Sequence, residues 1–331
     1  MGVLNLRLPV VLAALSCSVS CVPTFDDNLP LIDSPKVLAV SSEPAEAAPG
    51  DEVQLTALVA TPDVNGTQPK LSWGLCIARK PLTELGPVNP VCVQAANRAP
   101  GSIIPLGTGA SVQATVPNTP VDACRLFGPS LPEPMNGEPA GRPVDPDPTG
   151  GYYQPVGVTL LEDSVTTLGA VRIFCPPSGL DQDEAGAFNT SYKRNLNPII
   201  DSVRLLGAAG SSPVPDEPEE LHVTPGQVVQ LEASWATCTD GMPCSGAESY
   251  VLFNSDSRQL EQKHESIRVS WFASAGRFDD AVTGRDESEF GVSNTDNTWT
   301  APTAVQDIRL WLVIRDSRGG QTFRSFVLSV K

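Results

Sequence analysis

The chain has 331 residues, with 22 Lys and Arg against 38 Asp and Glu, and a formal net charge of −16. That balance excludes nucleic acid as a partner, and it requires a covalent anchor for any association with an anionic lipid surface. The 32 prolines and 27 glycines exclude a mainly helical protein, since both residues are poor in helix interiors.

The first 20 residues have the proportions of an export signal. Arg7 is their only charged side chain, Leu8 to Leu15 form an apolar run of eight residues, and small or neutral residues lead to Cys21. Eight residues cannot cross a bilayer, which needs roughly 20, and no later window approaches that length. Ser18-Val19-Ser20-Cys21 resembles a lipobox, in which the cysteine is acylated and becomes the mature N-terminus; Ala14-Leu15-Ser16-Cys17 is the alternative. Cleavage before Cys21 leaves six cysteines, Cys76, Cys92, Cys124, Cys175, Cys238 and Cys244, an even number suited to an oxidising compartment. Cleavage before Cys17 would leave an odd thiol, so Cys21 is favoured as the lipidation site. Neither site has Leu three residues before the cysteine, so a cleaved secretory signal without lipid remains the alternative. The mature chain has about 310 residues at about −17, long enough for two domains.

Residues 21–36 lack periodicity and read as an acidic, proline-bearing tether. Strands follow. Val37 to Val40 is a short apolar run, and Val53, Leu55, Ala57 and Val59 alternate onto one face, with an Ala48-Pro49-Gly50-Asp51 turn between them. The phrase Pro49-Gly50-x-x-Val53-Gln54-Leu55-x-Ala57 recurs 176 residues later as Pro225-Gly226-x-x-Val229-Gln230-Leu231-x-Ala233, identical at six of nine positions. Leu71-Ser72-Trp73 is answered by Val269-Ser270-Trp271. Each half therefore opens with the same hairpin and puts a Trp on a following strand, where its ring can fill a space between two sheets. In the second half Ile267, Val269, Trp271 and Ala273 alternate, as do Ile308, Leu310, Leu312 and Ile314, and then Phe326, Leu328 and Val330. Asp316 to Gly320 marks the last hairpin.

At these residues, and at Trp299-Thr300-Ala301-Pro302 followed by a long apolar strand and Asp316-x-x-Gly319, the chain resembles tandem immunoglobulin-like or PKD-like domains of bacterial surface lipoproteins. The resemblance covers most of 197–331 and, more weakly, 37–175. It implies an all-β fold of two tandem immunoglobulin-like β-sandwiches, 37–195 with long loops and 196–331, after a lipoprotein signal. It says almost nothing about activity.

The first sandwich exceeds an ordinary one of about 100 residues, and the excess falls in 80–105 and 128–155. Their composition marks solvated insertions, and long loops are also where binding surfaces gather. The Cys238 to Cys244 segment closes on itself, Cys76 and Cys92 would close a loop near Pro87-Val88-Asn89-Pro90, and Cys124 is left with Cys175, one of 15 pairings. Metal binding by thiolates is disfavoured, since no CxxC occurs. No catalytic residue is assigned: His222 and His264 stand in no HExxH, and neither GxSxG, SxxK nor a phosphate loop is present. Acidic segments suit weak Ca²⁺ at best, with Asp279, Asp280, Asp286, Glu287 and Glu289 as candidate ligands and Asp181, Asp183 and Glu184 as a second loop. Tyr152, Tyr153 and Tyr192 are candidate ligand-facing aromatics for glycan or peptidoglycan.

The expectation is a non-enzymatic, lipid-anchored protein of the bacterial cell envelope, at the outer membrane, with a binding, spacer or adhesion role and an envelope protein or glycan as partner. A glycan module is the alternative and a secreted hydrolase with an unrecognised acidic site the lesser one. A secreted or periplasmic location is the alternative to anchoring.

Overall fold

The computed structural model describes residues 30–63, 66–79, 88–93, 101–118, 122–128, 151–175, 177, 180–207, 210–213, 222–239, 242–254 and 256–331. The signal segment with Cys17 and Cys21, most of the tether, and much of the two long insertions lie outside the described residues.

Among the described residues the regular structure is mainly strand. In order these are β1 (Lys36–Glu43), β2 (Glu46–Ala47), β3 (Glu52–Ala60), β4 (Leu71–Cys76), β5 (Ile103–Thr108), β6 (Ser111–Thr115), β7 (Tyr152–Leu160) and β8 (Val165–Ile173), with a short helix α1 (Ala123–Phe127) before β7 and α2 (Gln182–Ser191) after β8. Then come β9 (Ile200–Gly207), β10 (Gly210–Pro213), β11 (His222–Val223), β12 (Val228–Trp235), β13 (Ser249–Asn254), β14 (Gln259–His264), β15 (Ile267–Ala273), β16 (Arg277–Phe278), β17 (Val282–Arg285), β18 (Asn294–Thr300), β19 (Gln306–Asp316) and β20 (Gln321–Val330). One sandwich sets the three-stranded sheet β1-β3-β6 against the five-stranded sheet β2-β8-β7-β4-β5. The other sets β10-β9-β12-β18-β16 against β11-β20-β19-β15-β17, with β13-β14 as a separate hairpin. The fold is all-β.

Val53, Leu55 and Trp73, read from the sequence, lie in the first core together with Leu75, Val156, Val158 and Val171, which the sequence reading did not name; Leu231, Val269, Trp271, Trp299, Leu310, Leu312 and Leu328 lie in the second. The repeated Pro-Gly phrases adopt the same geometry. Gly50 (φ +93°) and Gly226 (φ +72°) take the left-handed conformation their turns require, and each donates its N–H to a carbonyl after a distant strand, Val116 or Pro302. Both repeated tryptophans are buried with their indole N–H satisfied, Trp73 by the Gly109 carbonyl at 2.7 Å and Trp271 by the Thr283 hydroxyl at 2.8 Å.

Four expectations are corrected. The opening hairpin is interrupted, because Glu46–Ala47 leaves β1 and pairs parallel with β8 in the opposite sheet. The end of the tether is packed: Ile32 is 1% exposed, its N–H bonds the Ala273 carbonyl, and the Ala273 N–H bonds Pro30. Tyr152 to Pro155 is strand, the start of β7, which pairs with β8 over nine residues. Asp181 to Glu184 is the start of α2, where Asp181 and Glu184 form a reciprocal capping box.

A third core joins the two sandwiches. Ala39, Leu58 and Ala60 on the outer face of β1 and β3 meet Trp311 and Val313 on the outer face of β19, and Ile32 closes the cluster. Strand β19 is therefore buried on both faces, with Leu310 and Leu312 turned to its own core and Trp311 and Val313 to its neighbour's.

Candidate functional site: the seam between the sandwiches

Beside this third core lies a polar cluster built around two buried arginines. Arg172, on β8 and 1% exposed, places Nε 3.1 Å from Glu46 Oε2. Its Nη1 donates to Tyr153 Oη at 3.1 Å and to the Arg318 carbonyl at 3.0 Å. Arg318, in the β19–β20 turn and fully buried, reaches Glu265 Oε1 at 2.6 Å through Nε and Glu248 Oε2 at 3.1 Å through Nη2. Its Nη1 donates to the Lys193 carbonyl at 3.0 Å, and its guanidinium lies 4.8 Å from the Tyr250 ring centroid.

The segment joining the sandwiches threads this cluster. Asn195 donates its backbone N–H to Glu46 Oε2 at 2.9 Å and its side-chain amide to Asp316 Oδ2 at 3.1 Å. Leu196 N–H bonds Glu248 Oε2 at 3.0 Å. Asn197 bonds the Ser42 carbonyl at 2.7 Å and accepts the Gln321 N–H at 2.9 Å. The linker between the domains is thus held by side chains and backbone from both.

The turn that carries Arg318 is set locally. Asp316 Oδ1 accepts the N–H groups of Arg318 at 2.8 Å and Gly320 at 2.9 Å, and Gly319 adopts φ +93°. A Cβ at Gly319 would lie 2.8 Å from the Tyr153 ring, so glycine also permits the close approach of the sandwiches.

Charge is not balanced in the seam. Four carboxyl groups, Glu46, Glu248, Glu265 and Asp316, face two guanidinium groups, Arg172 and Arg318. Burial first, then the Asp316 carboxylate, pushes Glu265 up to about 8 although Arg318 pulls it down. Burial pushes Asp316 up to about 6 and raises Glu248 above the ordinary carboxylate range. Tyr192, whose hydroxyl bonds Glu46, is pushed up to about 12 by burial and then by that carboxylate. Chemically the arrangement binds protons and holds backbone, with every one of the four carboxyl groups accepting hydrogen bonds.

The residues singled out in the sequence are placed as follows. Disulfides join Cys76 to Cys92, Cys124 to Cys175 and Cys238 to Cys244. Tyr153 and Tyr192 belong to the seam: the Tyr153 hydroxyl donates to the Arg318 carbonyl, and the Tyr192 ring stacks on Phe188 at 5.0 Å. Tyr152 is half-buried against the first core. The three therefore do not form an outward aromatic platform. The calcium candidates do not converge. Asp286 pairs with Arg268 at 2.9 Å, Glu289 pairs with Arg285 at 3.5 Å, and among the described residues no three His, Cys, Asp or Glu side chains are grouped to hold a metal ion. His222 is exposed on β11, and His264 stacks on Phe290 with centroids 3.7 Å apart. Sequence reasoning missed Glu46, Arg172, Glu248, Glu265 and Asn195 entirely; the Asp316 to Gly320 turn was legible, but Arg318 within it was read only as a hairpin residue.

No family model matches the chain, and no curated protein matches it. Solved structures similar to it include the fibronectin(III)-like modules of Clostridium thermocellum CbhA, at 10% identity over 88% of this chain and 94% of that one, with a TM-score of 0.21. The C-terminal domain of the Streptococcus agalactiae AgI/II polypeptide BspA is similar at 9% identity over 90% and 99%, TM-score 0.23. The Yersinia pseudotuberculosis adhesin InvE is similar at 10% over 88% of this chain and 58% of its own, TM-score 0.21. At those scores the likenesses carry no argument, and the all-β assignment rests on the sheets themselves. Among the described residues no helix is long and apolar enough to cross a membrane.

Proposed function

We propose that this chain is a non-catalytic protein of the bacterial cell envelope, held at a membrane by a lipid on Cys21, whose two sandwiches act as one block that spaces or binds a partner. The observation that carries the reading is the seam. Two buried arginines, a stitched linker and a shared apolar core fix the mutual orientation of the sandwiches. Fixed orientation is what a spacer or a presenting scaffold needs. The anchoring part rests on the lipobox-like Ser18-Val19-Ser20-Cys21, and the oxidising compartment on the disulfides. Binding by Tyr152, Tyr153 and Tyr192 is disfavoured, since two of their hydroxyls are committed inward.

The test is the intact mass of the native protein from its own envelope, before and after reduction. The expected result is a lipid adduct on a fragment beginning at Cys21 and a gain of about six daltons on reduction. An unmodified chain cut elsewhere would overturn the anchor, and free thiols would overturn the compartment.

A further inference from the structure

Among the described residues the four sandwich sheets end in eight edge strands, and seven of these are blocked or brief. Strands β2, β11 and β16 have two residues each, β10 has four and ends at Pro213, and β17 has four with Arg285 reaching to the Asn294 carbonyl. Strand β5 carries Pro105, which has no N–H to offer. The outer carbonyls of β1 are already taken by the second sandwich: Leu38 by Arg315 at 2.9 Å, Ser42 by Asn197 at 2.7 Å, and Val40 by the Gln321 side chain.

The exception is β6, Ser111–Thr115. Its even-numbered neighbours bond β3, since the Ala110 carbonyl accepts from Ala57, and Val116 exchanges bonds with Gly50 and Asp51. By alternation the N–H and C=O groups of Ser111, Gln113 and Thr115 point away from the sheet. The strand has no charge, proline or bulge, and among the described residues no strand pairs with its outer edge. Beside it runs a groove of about 480 Å³ lined by Ile104, Leu106, Ala114 and Val116, with Glu52 also on its wall. Ile104 sits opposite core-facing Leu75, yet it is 38% exposed, because the three-stranded sheet stops one strand short of covering it.

We propose that the β6 edge is a binding site for an extended peptide segment of another protein, which adds to the β1-β3-β6 sheet as a fourth strand. Main-chain groups of Ser111, Gln113 and Thr115 supply the hydrogen bonds, and every second side chain of the guest, apolar, covers Ile104 and Leu106. Glu52 on the groove wall favours a basic residue in the guest. A second copy of this chain is the poorer occupant, because pairing β6 with β6 would bring together two molecules of −16 charge. The inference deepens the binding reading above and is independent of the lipid anchor, which the mass measurement tests by itself.

The experiment uses the detergent-solubilised full chain, disulfides intact, and a synthetic nonapeptide of alternating valine and threonine with a lysine at each end. Peptide is expected to slow amide exchange at Ser111, Gln113 and Thr115 by about tenfold or more, with a scrambled peptide that clusters the valines doing so far less. Gln113→Pro, which removes an outward N–H that the fold does not use, is expected to weaken binding about tenfold; Gln113→Ala, which keeps it, about twofold or less. The proposal is overturned if millimolar peptide leaves these amides unprotected, if the scrambled peptide protects equally, or if Gln113→Pro binds like the parent. Protection that rises with protein concentration in the absence of peptide would assign the edge to a second copy and overturn it as well.

Discussion

Arg318 sets three guanidinium nitrogens on acceptors from three parts of the chain: Glu265, Glu248 and the Lys193 carbonyl. Arg318→Met keeps much of the volume and removes the charge, leaving buried carboxyl groups facing one another. The expected loss is about 3–5 kcal/mol, read as a lower urea midpoint. Protonation offers a second test. Glu265, raised to about 8, and Asp316, raised to about 6, bind protons in the folded state that the unfolded chain releases. Their contribution to stability is therefore fully present below about pH 4, the ordinary carboxylate range, and is lost as pH rises towards about 8. Urea midpoints across that window should fall with rising pH in the parent and fall less in Glu265→Gln; equal slopes would show that Glu265 does not hold the proton.

Among the elements, the disulfides differ in what they close. Cys124 and Cys175 are 51 residues apart and Cys238 and Cys244 only six, so chain entropy predicts about 4 kcal/mol lost in Cys124→Ser/Cys175→Ser against about 2 kcal/mol in Cys238→Ser/Cys244→Ser. Thermal melts of the two double variants check the order. The Val53 to Ala57 stretch of β3 was legible because Gln54 and Thr56 mark a second face that is less buried than Val53, Leu55 and Ala57, and alternation reports that contrast. Strand β7 was not, since Gln154 to Leu160 is buried throughout and its residues show no contrast between faces. Helix α2 left a signal that went unread: Asp181 followed three residues later by Glu184 is a capping box. The seam was illegible for a different reason. Acids are plentiful along the whole chain, and nothing local separates Glu46 and Glu265, which are fully buried, from those in water.

At the scale of the whole molecule, the third core predicts cooperative unfolding. Trp311→Ala should cost about 3–5 kcal/mol and, by loosening the contact between sandwiches, resolve one calorimetric transition into two. A parent that already melts in two steps would show that the sandwiches are independent. The docking of Pro30 to Ile32 has a mechanical consequence. The chain meets Ala273, deep in the C-terminal sandwich, before Lys36 begins the N-terminal one. Tension arriving from the amino-terminal side is taken up at β15 first, through hydrogen bonds at Pro30 and Ile32 and the Ile32 side chain buried in the same cluster as Trp311, so a tug reaches the C-terminal half of the sequence ahead of the strand it is directly joined to.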